Sequence, residues 1–394
     1  MNFLYYNIFF AALEQFNILK LTSFSFSTLS FTKISFSFLF LTNNGFGIEL
    51  ILLFLVLSTL VPVLLTVAIF TVSERKVLAS VQRRRGPNVV GFWGILQAIA
   101  DGIKLVIKET IIPSRSSPIF FIFAPMWVFI TSFTGWAIIP FYYDNFFTDL
   151  EYSILYILVI SSLGVYGIIL AGWGSNSRYA FLGGLRSVAQ LISYEVSLGL
   201  ILLPIILATN SLNFSEIILV QEKTIWFALP FFPLFIIFFI TILAETNRTP
   251  FDLPEAEAEL VAGFNVEYAS TIFALFFLGE YSSIILMSTF LVILFLGGWN
   301  PCIFFFAPIL EFVIKIVFVC FFFILVRGAL PRYRYDQLMS IGWKTFLPVT
   351  LVFFFFSSTF LIWSNSFSYN ETVLVNYFLK IYESEYIFEN EFIN

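Results

Sequence analysis

Long apolar stretches alternate with short polar connections along most of the chain, and their length indicates the secondary structure. Eight stretches approach or exceed the ~20 mostly apolar residues that a membrane-spanning helix needs, namely 48–71, 117–141, 153–173, 187–208, 225–244, 268–296, 302–326 and 346–363. These runs are too long for strands and lack period-two alternation. The pattern therefore predicts an all-α, polytopic membrane protein with about eight transmembrane helices.

The basic residues give this arrangement an orientation. If the C-terminal end of the first span lies on the inner side, the inner connections are 72–116, 174–186, 245–267 and 327–345. They hold all of the chain's 20 Lys and Arg residues except Lys20, Lys33, Lys223, Lys315 and Lys380. The outer connections hold only Lys223. The positive-inside rule predicts such an asymmetry, so the charges support the eight-span plan.

The first inner connection is too long for a bare loop and contains an amphipathic segment. Its polar and apolar residues recur at helical spacing on opposite faces, as Gln97, Asp101, Lys104 and Lys108 against Ile95, Ile99, Ile103 and Val106. The spacing predicts a helix at the membrane surface, in the first matrix-side connection. A generic interfacial anchor would show the same pattern.

Three regions follow from this reading. Residues 1–44 form an N-terminal hydrophobic extension of unknown role, 45–364 form the membrane domain, and 365–394 form a polar C-terminal tail.

Composition excludes several classes of function. Only 11% of residues are charged and 59% are hydrophobic, whereas soluble domains carry roughly 25% charged residues. The net charge of −5 gives no basic excess for nucleic acid. The absence of histidine argues against a bis-His haem bundle, and the two cysteines, Cys302 and Cys320, are too few for a zinc site or an iron–sulfur cluster within this chain.

Candidate proton-carrying groups concentrate in the connection 245–267, which reads AETNRTPFDLPEAEAELVAGFNVE from residue 244. Its carboxylates are Glu245, Asp252, Glu255, Glu257, Glu259 and Glu267, against a single Arg248. Crowding and desolvation raise the pKa of some carboxyls in such a set, which suits a proton relay. A solvated acidic loop is the simpler alternative, but interleaved apolar residues and two prolines argue against a freely solvated tail.

Carboxylates also lie inside the predicted spans. Glu195 and Glu280 are intramembrane acids and therefore functional-site candidates, although neighbouring hydroxyls could simply satisfy them. Glu311 and Lys315 are four residues apart on one helix, so they can neutralise each other as a structural pair.

Several long motifs resemble those of one family. They are SERKVLASVQRRRGPNVVGFWGILQAIADGIKLVIKE, YAFLGGLRSVAQLISYEV, AETNRTPFDLPEAEAELVAGFNVEYA and PRYRYDQLM, within residues 48–363. In these motifs the chain resembles subunit 1 of the proton-pumping NADH:quinone oxidoreductases (respiratory complex I). The resemblance implies a membrane-arm subunit of the mitochondrial inner membrane that borders the ubiquinone access tunnel and begins the acidic proton-coupling path.

The resemblance also implies roles for particular residues. The quinone-tunnel candidates are Glu74, Arg75, Arg186, Arg248, Phe251, Asp252, Arg332, Arg334 and Asp336. The proton-coupling candidates are Asp101, Glu195, Glu245, Glu255, Glu257, Glu259, Glu267 and Glu280. Ubiquinone is the expected substrate, and no metal, flavin, haem or iron–sulfur cluster is expected on this chain.

The expected partners are the other membrane-arm subunits, the quinone-reducing peripheral arm and membrane lipids, with no nucleic acid. Without the motifs, a secondary ion or solute transporter with intramembrane carboxylates would fit the same composition. Such transporters often show internal repeats and broken helices, and no repeat is visible in this sequence.

Overall fold

A computed structural model describes residues 46–142, 148–252, 263–300 and 307–363, without the side chains of 46–55 and 362. The chain divides into two units, 1–62 and 63–394. Within the described residues the first unit contains the start of helix α1, and the second contains every site residue discussed below. The predicted extension 1–44 and tail 365–394 lie outside the described residues.

The described residues form eleven α-helices. They are α1 Phe46–Val81, α2 Gln97–Ile107, α3 Pro118–Thr134, α4 Ser153–Gly174, α5 Arg178–Thr209, α6 Phe214–Lys223, α7 Phe232–Glu245, α8 Ser270–Phe295, α9 Pro308–Ala329, α10 Tyr335–Ser340 and α11 Leu347–Trp363. Within these residues, seven helical segments are long and apolar enough to cross a membrane. The prediction of an all-α, polytopic membrane protein is therefore confirmed.

Several helices extend beyond the predicted apolar runs at the inner end. The first continues to Val81, the fourth begins at Arg178, and α10 runs through a π-helical turn, Ile341–Phe346, into α11. Their polar extensions contain good helix formers such as Glu74, Arg75 and Lys76, which continue a helix without needing an apolar environment. Residues assigned to connections, Glu74 among them, therefore occupy helices.

The fifth predicted span, 225–244, differs from its expected length. Helix α7 begins only at Phe232 and has 14 residues, which is about 21 Å at 1.5 Å per residue, against a hydrocarbon core of ~30 Å. Pro230 and Pro233 explain the late start, because proline lacks the N–H that a helix interior requires and is tolerated in the first turn. The segment before the helix is held by other elements, with the Ala228 amide donating to the Phe295 carbonyl at 3.0 Å.

Helix α6, in the outer connection, was not predicted. Asn213 caps it, since its side chain accepts a hydrogen bond from the Ser215 amide at 3.0 Å. Near its end, buried Gln221 donates to the carbonyls of Ile293 and Leu294 at 2.9 and 3.1 Å. The helix thus satisfies two backbone acceptors at the end of α8.

The amphipathic surface helix is confirmed as α2, which packs against α8. Its apolar residues Ile99, Ile103 and Val106 are exposed. At the centre of the bundle, α8 is the most enclosed of the described spans, with 78% of its apolar window buried, followed by α5 with 50%. These two helices carry Glu280 and Glu195, so both intramembrane acids belong to the innermost elements.

Candidate functional site

A buried carboxylate, Glu74 of α1, joins three other elements at the inner end of the bundle. Glu74 is 5% exposed. Its Oε1 accepts from Arg327 at the end of α9 and from Arg248 Nη1 at 3.3 Å. Its Oε2 accepts from the hydroxyl of Tyr281 on α8, and the Arg248 guanidinium lies 4.3 Å from the Tyr281 ring centroid. We call Glu74, Arg248, Tyr281 and Arg327 the Glu74 cluster.

The charge of this cluster does not cancel internally. A buried carboxylate requires paired, hydrogen-bonded partners, and Glu74 has two cationic ones and a phenol. One negative and two positive groups leave a net positive charge at this point. The cluster can therefore hold its carboxylate ionised and still attract an electron-rich or anionic group.

The C-terminal turn of α7 places Arg248 in the cluster. Asn247 adopts a left-handed conformation with φ of 50°, and the Arg248 amide donates to the Leu243 carbonyl at 3.1 Å. This closing hydrogen bond with a left-handed residue is a common way to end a helix. It reverses the chain directly after Glu245 and brings the Arg248 side chain to Glu74.

A second ion pair lies where the connection after α7 meets the last inner connection. Asp252 is buried, and its Oδ2 accepts from Arg332 Nη2 at 3.1 Å. Beside it, buried Phe251 stacks on Tyr333 with ring centroids 5.7 Å apart. The Tyr333 amide also donates to the Pro250 carbonyl at 3.1 Å. Three predicted tunnel residues, Phe251, Asp252 and Arg332, are thus brought together.

Gln190 of α5 supports this arrangement from below. It is fully buried, and its Nε2 donates to the carbonyls of Ala244 and Phe251 at 2.7 and 2.9 Å. One side chain therefore fixes both the end of α7 and the segment that follows it.

Arg75 and Asp101 form a more exposed pair between α1 and the surface helix. Arg75 Nη1 lies 2.6 Å from Asp101 Oδ2, with side chains 48% and 36% exposed. Asp101 also accepts from Gln97 at 3.1 Å. Exposed ion pairs contribute little to stability, so the contact chiefly sets the position of α2 beside α1.

A cavity of ≈ 120 Å³ lies among α3, α4, α5, α8 and the end of α7. Glu245 and Glu280 both line it, with hydroxyl groups from Thr131, Ser132 and Ser161. The volume is several times the ~10–15 Å³ that one water requires, and the lining supplies polar partners. Two predicted proton-coupling acids therefore share one small polar cavity.

Glu245 has the less satisfied carboxylate in this cavity. Its Oε2 is inaccessible and has no hydrogen-bond partner among the described residues. Glu195 on α5 lies near enough for the two carboxylates to interact electrostatically. A buried carboxylate oxygen without a partner is costly, so a water or a proton is the group that this position requires.

The far end of the acidic connection is anchored by Tyr268. Its ring stacks on Phe121 with centroids 4.2 Å apart, and its hydroxyl donates to the Ala171 carbonyl at 3.2 Å. Burial raises the pKa of the Tyr268 phenol above its usual value, so it remains a donor. Upstream, a Cβ on Gly183 would stand 2.8 Å from the Gly263 Cα, which shows how closely the connection approaches α5.

The remaining predicted residues lie outside these groups. Arg186 is half-buried on α5 and Glu267 is half-buried beside Tyr268. Arg334 and Asp336 are 80% and 79% exposed, with their charged atoms 3.7 Å apart. Glu255, Glu257 and Glu259 lie outside the described residues.

Sequence reasoning did not assign Arg327 or Tyr281 to the site. Arg327 was counted only as a basic residue of an inner connection, and Tyr281 follows Glu280 without a distinguishing pattern. Arg327 and Glu74 are 253 positions apart. A buried acid at the inner end of a span could have signalled that a basic partner was needed, but not which one.

Comparison with known proteins places these observations in a family. Residues 52–358 match the NADH dehydrogenase family. The NADH-ubiquinone oxidoreductase chain 1 of Chondrus crispus is 54% identical over 316 residues, covering 79% of this chain and 97% of that protein. The corresponding chain of Arabidopsis thaliana is 55% identical over 303 residues, covering 75% and 92%. An NADH-quinone oxidoreductase subunit of the bacterium Rhodospirillum rubrum is 52% identical over 311 residues, covering 78% and 92%. The chain therefore belongs to the NADH dehydrogenase family.

Proposed function

We propose that this protein is a membrane-arm subunit of an NADH:ubiquinone oxidoreductase of the mitochondrial inner membrane. In this role it borders the path of ubiquinone and begins the acidic path that couples quinone reduction to proton translocation. Its relatives carry names of such subunits. The observation that carries the proposal is that one helical turn, at the end of α7, supplies Glu245 to the cavity and Arg248 to the Glu74 cluster.

The quinone path requires an apolar surface for the isoprenoid tail next to polar groups for the head. Exposed apolar residues follow α1 toward the cluster, including Leu65 and Ile69, and α2 contributes Ile99 and Ile103. The Arg75–Asp101 pair joins these two helices. An apolar surface that ends at arginines and a tyrosine matches the two halves of the ligand.

The electrons reach the quinone from a redox centre in a neighbouring subunit, because this chain has only two cysteines and no histidine. Its own residues provide the electrostatic surroundings. Reduction places negative charge on the quinone head, and the net positive Glu74 cluster stabilises that charge. Proton uptake then removes it, so the field at the inner end changes during each turnover.

The cavity acids respond to that change. Arg248 lies three residues beyond Glu245 on a turn fixed by Gln190 and the Leu243 carbonyl. A displacement of Arg248, or a change of field at its guanidinium, therefore acts on Glu245 over a short distance. Coupled carboxylates titrate together, so Glu245, Glu195 and Glu280 form the proposed start of the proton path.

The test uses the assembled complex in sealed proteoliposomes. Glu245→Gln and Glu280→Gln, which keep shape and remove charge, are expected to lower pumping-coupled quinone reduction roughly 10-fold or more, as loss of a proton-transfer group does. The matched control is Glu216→Gln, an exposed acid on outer helix α6. NADH oxidation by an artificial acceptor upstream of quinone reports assembly.

Full proton pumping in both cavity variants would contradict the relay. Reduced pumping with unchanged quinone reduction would place the acids after the coupling step rather than at its start.

A further inference from the structure

A second pocket opens at the inner end of the bundle, away from the Glu74 cluster. Its volume is ≈ 470 Å³, and it lies where α3 begins, α4 ends and α5 begins. Its wall contains Arg115 and Arg178 with Ser177 and Asn176, and none of the described residues that line it is acidic. The pocket is therefore a concave surface with a concentrated positive charge.

The backbone around this pocket is fixed by hydrogen bonds between two connections. Asn176 adopts a left-handed conformation with φ of 50°, and its Nδ2 donates to the Arg115 carbonyl at 2.9 Å. The Ser117 amide donates to the Gly174 carbonyl at 3.1 Å. These bonds hold the residues that carry the two arginines at a defined separation.

The two guanidinium groups are not used elsewhere in the described structure. Both arginines are exposed, and neither forms an ion pair with a carboxylate among the described residues. In contrast, Arg75, Arg248, Arg327 and Arg332 all pair with acids. The first turn of α5 adds unbonded amides and the positive end of a 32-residue helix beside Arg178. Together these groups favour an anion that accepts several hydrogen bonds.

The apolar side of the pocket indicates where that anion comes from. Trp173 is 65% exposed and contacts Phe181, with ring centroids 6.0 Å apart. Exposed Leu182 and Leu185 continue along α5 beyond Phe181. Tryptophan beside basic residues is typical of the headgroup level of a membrane protein. An acyl chain can follow the apolar face while the head occupies the basic pocket.

We propose that this pocket binds the phosphate-bearing headgroup of an anionic phospholipid of the inner leaflet. Arg115 and Arg178 contact the phosphate oxygens, Ser177 and Asn176 complete the polar wall, and Trp173 packs on the glycerol region. Guanidinium groups bind phosphate through paired N–H donors, and basic pockets on this side of a membrane bind anionic headgroups. The site is separate from the Glu74 cluster and the cavity acids, and it does not depend on their proposed roles.

The experiment places a photoreactive group in the pocket of the assembled complex. In a Trp173→p-benzoylphenylalanine variant, illumination in native membranes is expected to yield a phospholipid adduct on this chain, identified by mass spectrometry. After detergent stripping, vesicles containing phosphatidylglycerol or cardiolipin should restore the adduct, and vesicles of phosphatidylcholine alone should not.

A second pair of variants separates the pocket from general basic charge. Arg115→Gln with Arg178→Gln should reduce adduct formation at limiting lipid about 30-fold, since each arginine contributes about 1 kcal/mol toward an anionic surface. The matched control, Lys108→Gln with Lys344→Gln, removes two exposed cations from the same side and should leave the yield unchanged. A polypeptide adduct, equal restoration by phosphatidylcholine, or equal losses in both double variants would overturn the proposal.

Discussion

Glu74 is a single negative charge that contacts two positive ones, Arg248 and Arg327, in a part of the bundle that largely excludes solvent. The two arginines are not equivalent. The Arg248 side chain is 13% exposed and also lies over Tyr281, whereas that of Arg327 is 34% exposed. Removing the carboxylate leaves two cations facing each other, while removing Arg327 leaves a neutral buried pair.

The order of two substitutions follows from this charge difference. Glu74→Gln should destabilise the subunit by about 3–5 kcal/mol, the usual cost of breaking a buried pair, and should raise KM for a short-chain quinone. Arg327→Gln should cost less and change KM less. Thermal unfolding of the purified complex and steady-state kinetics measure both effects. If Arg327→Gln is the more damaging change, the net positive charge of the cluster is not its important property.

Lys315 shows how an element end is stabilised within the bundle. From α9 its ammonium donates to the carbonyls of Leu296, Gly298 and Asn300, at 2.8, 3.0 and 2.7 Å, directly after α8 ends. It also lies 4.7 Å from the Trp226 ring centroid. A cation at a helix C-terminus opposes the negative end of the helix dipole. Lys315 therefore ties α9 to the end of the central helix and to the segment before α7.

Loss of this cap should lower the stability of the whole bundle. Lys315→Met is expected to cost about 1.5–3 kcal/mol for each hydrogen bond lost to a charged donor, partly offset by relief of the buried charge. The midpoint of thermal unfolding should therefore fall. Lys315→Arg should be intermediate, because a planar guanidinium cannot reproduce three converging N–H donors. An unchanged midpoint for Lys315→Met would show that the carbonyls find other partners.

The long spans and the surface helix could be predicted because each depends on a local property, either an uninterrupted apolar run or a helical spacing of polar residues. Lys315 could not be placed correctly in this way. Its i,i+4 neighbour Glu311 was the visible partner, whereas the three carbonyls that it contacts belong to another element. The same limit applies to Arg327 in the Glu74 cluster, and to α6, whose short length made it resemble a loop.

At the scale of the molecule, the crossing count depends on the shortest helix. The number of crossings between Lys223 and Lys344 is three if α7 spans the membrane and two if it does not. Both side chains are exposed, as is Arg84 at the inner end. Their accessibility from the two sides of a sealed vesicle therefore decides whether the chain crosses eight times.

Single cysteines at these positions provide the measurement. In a Cys302→Ser background, Arg84→Cys and Lys344→Cys should react with a membrane-impermeant maleimide from one side, and Lys223→Cys from the other. Buried Cys320 should remain unlabelled in the intact fold. Labelling of Lys223→Cys and Lys344→Cys from the same side would remove α7 from the set of spans.

The brevity of α7 also constrains how the protein can change. One inserted residue would turn its last residues through about 100°, and a deletion would do the same in the opposite sense. Glu245 would leave the cavity and Arg248 would leave Glu74 in the same step. Insertions and deletions in this helix are therefore penalised twice, and variation there is restricted to exchanges of one side chain for another.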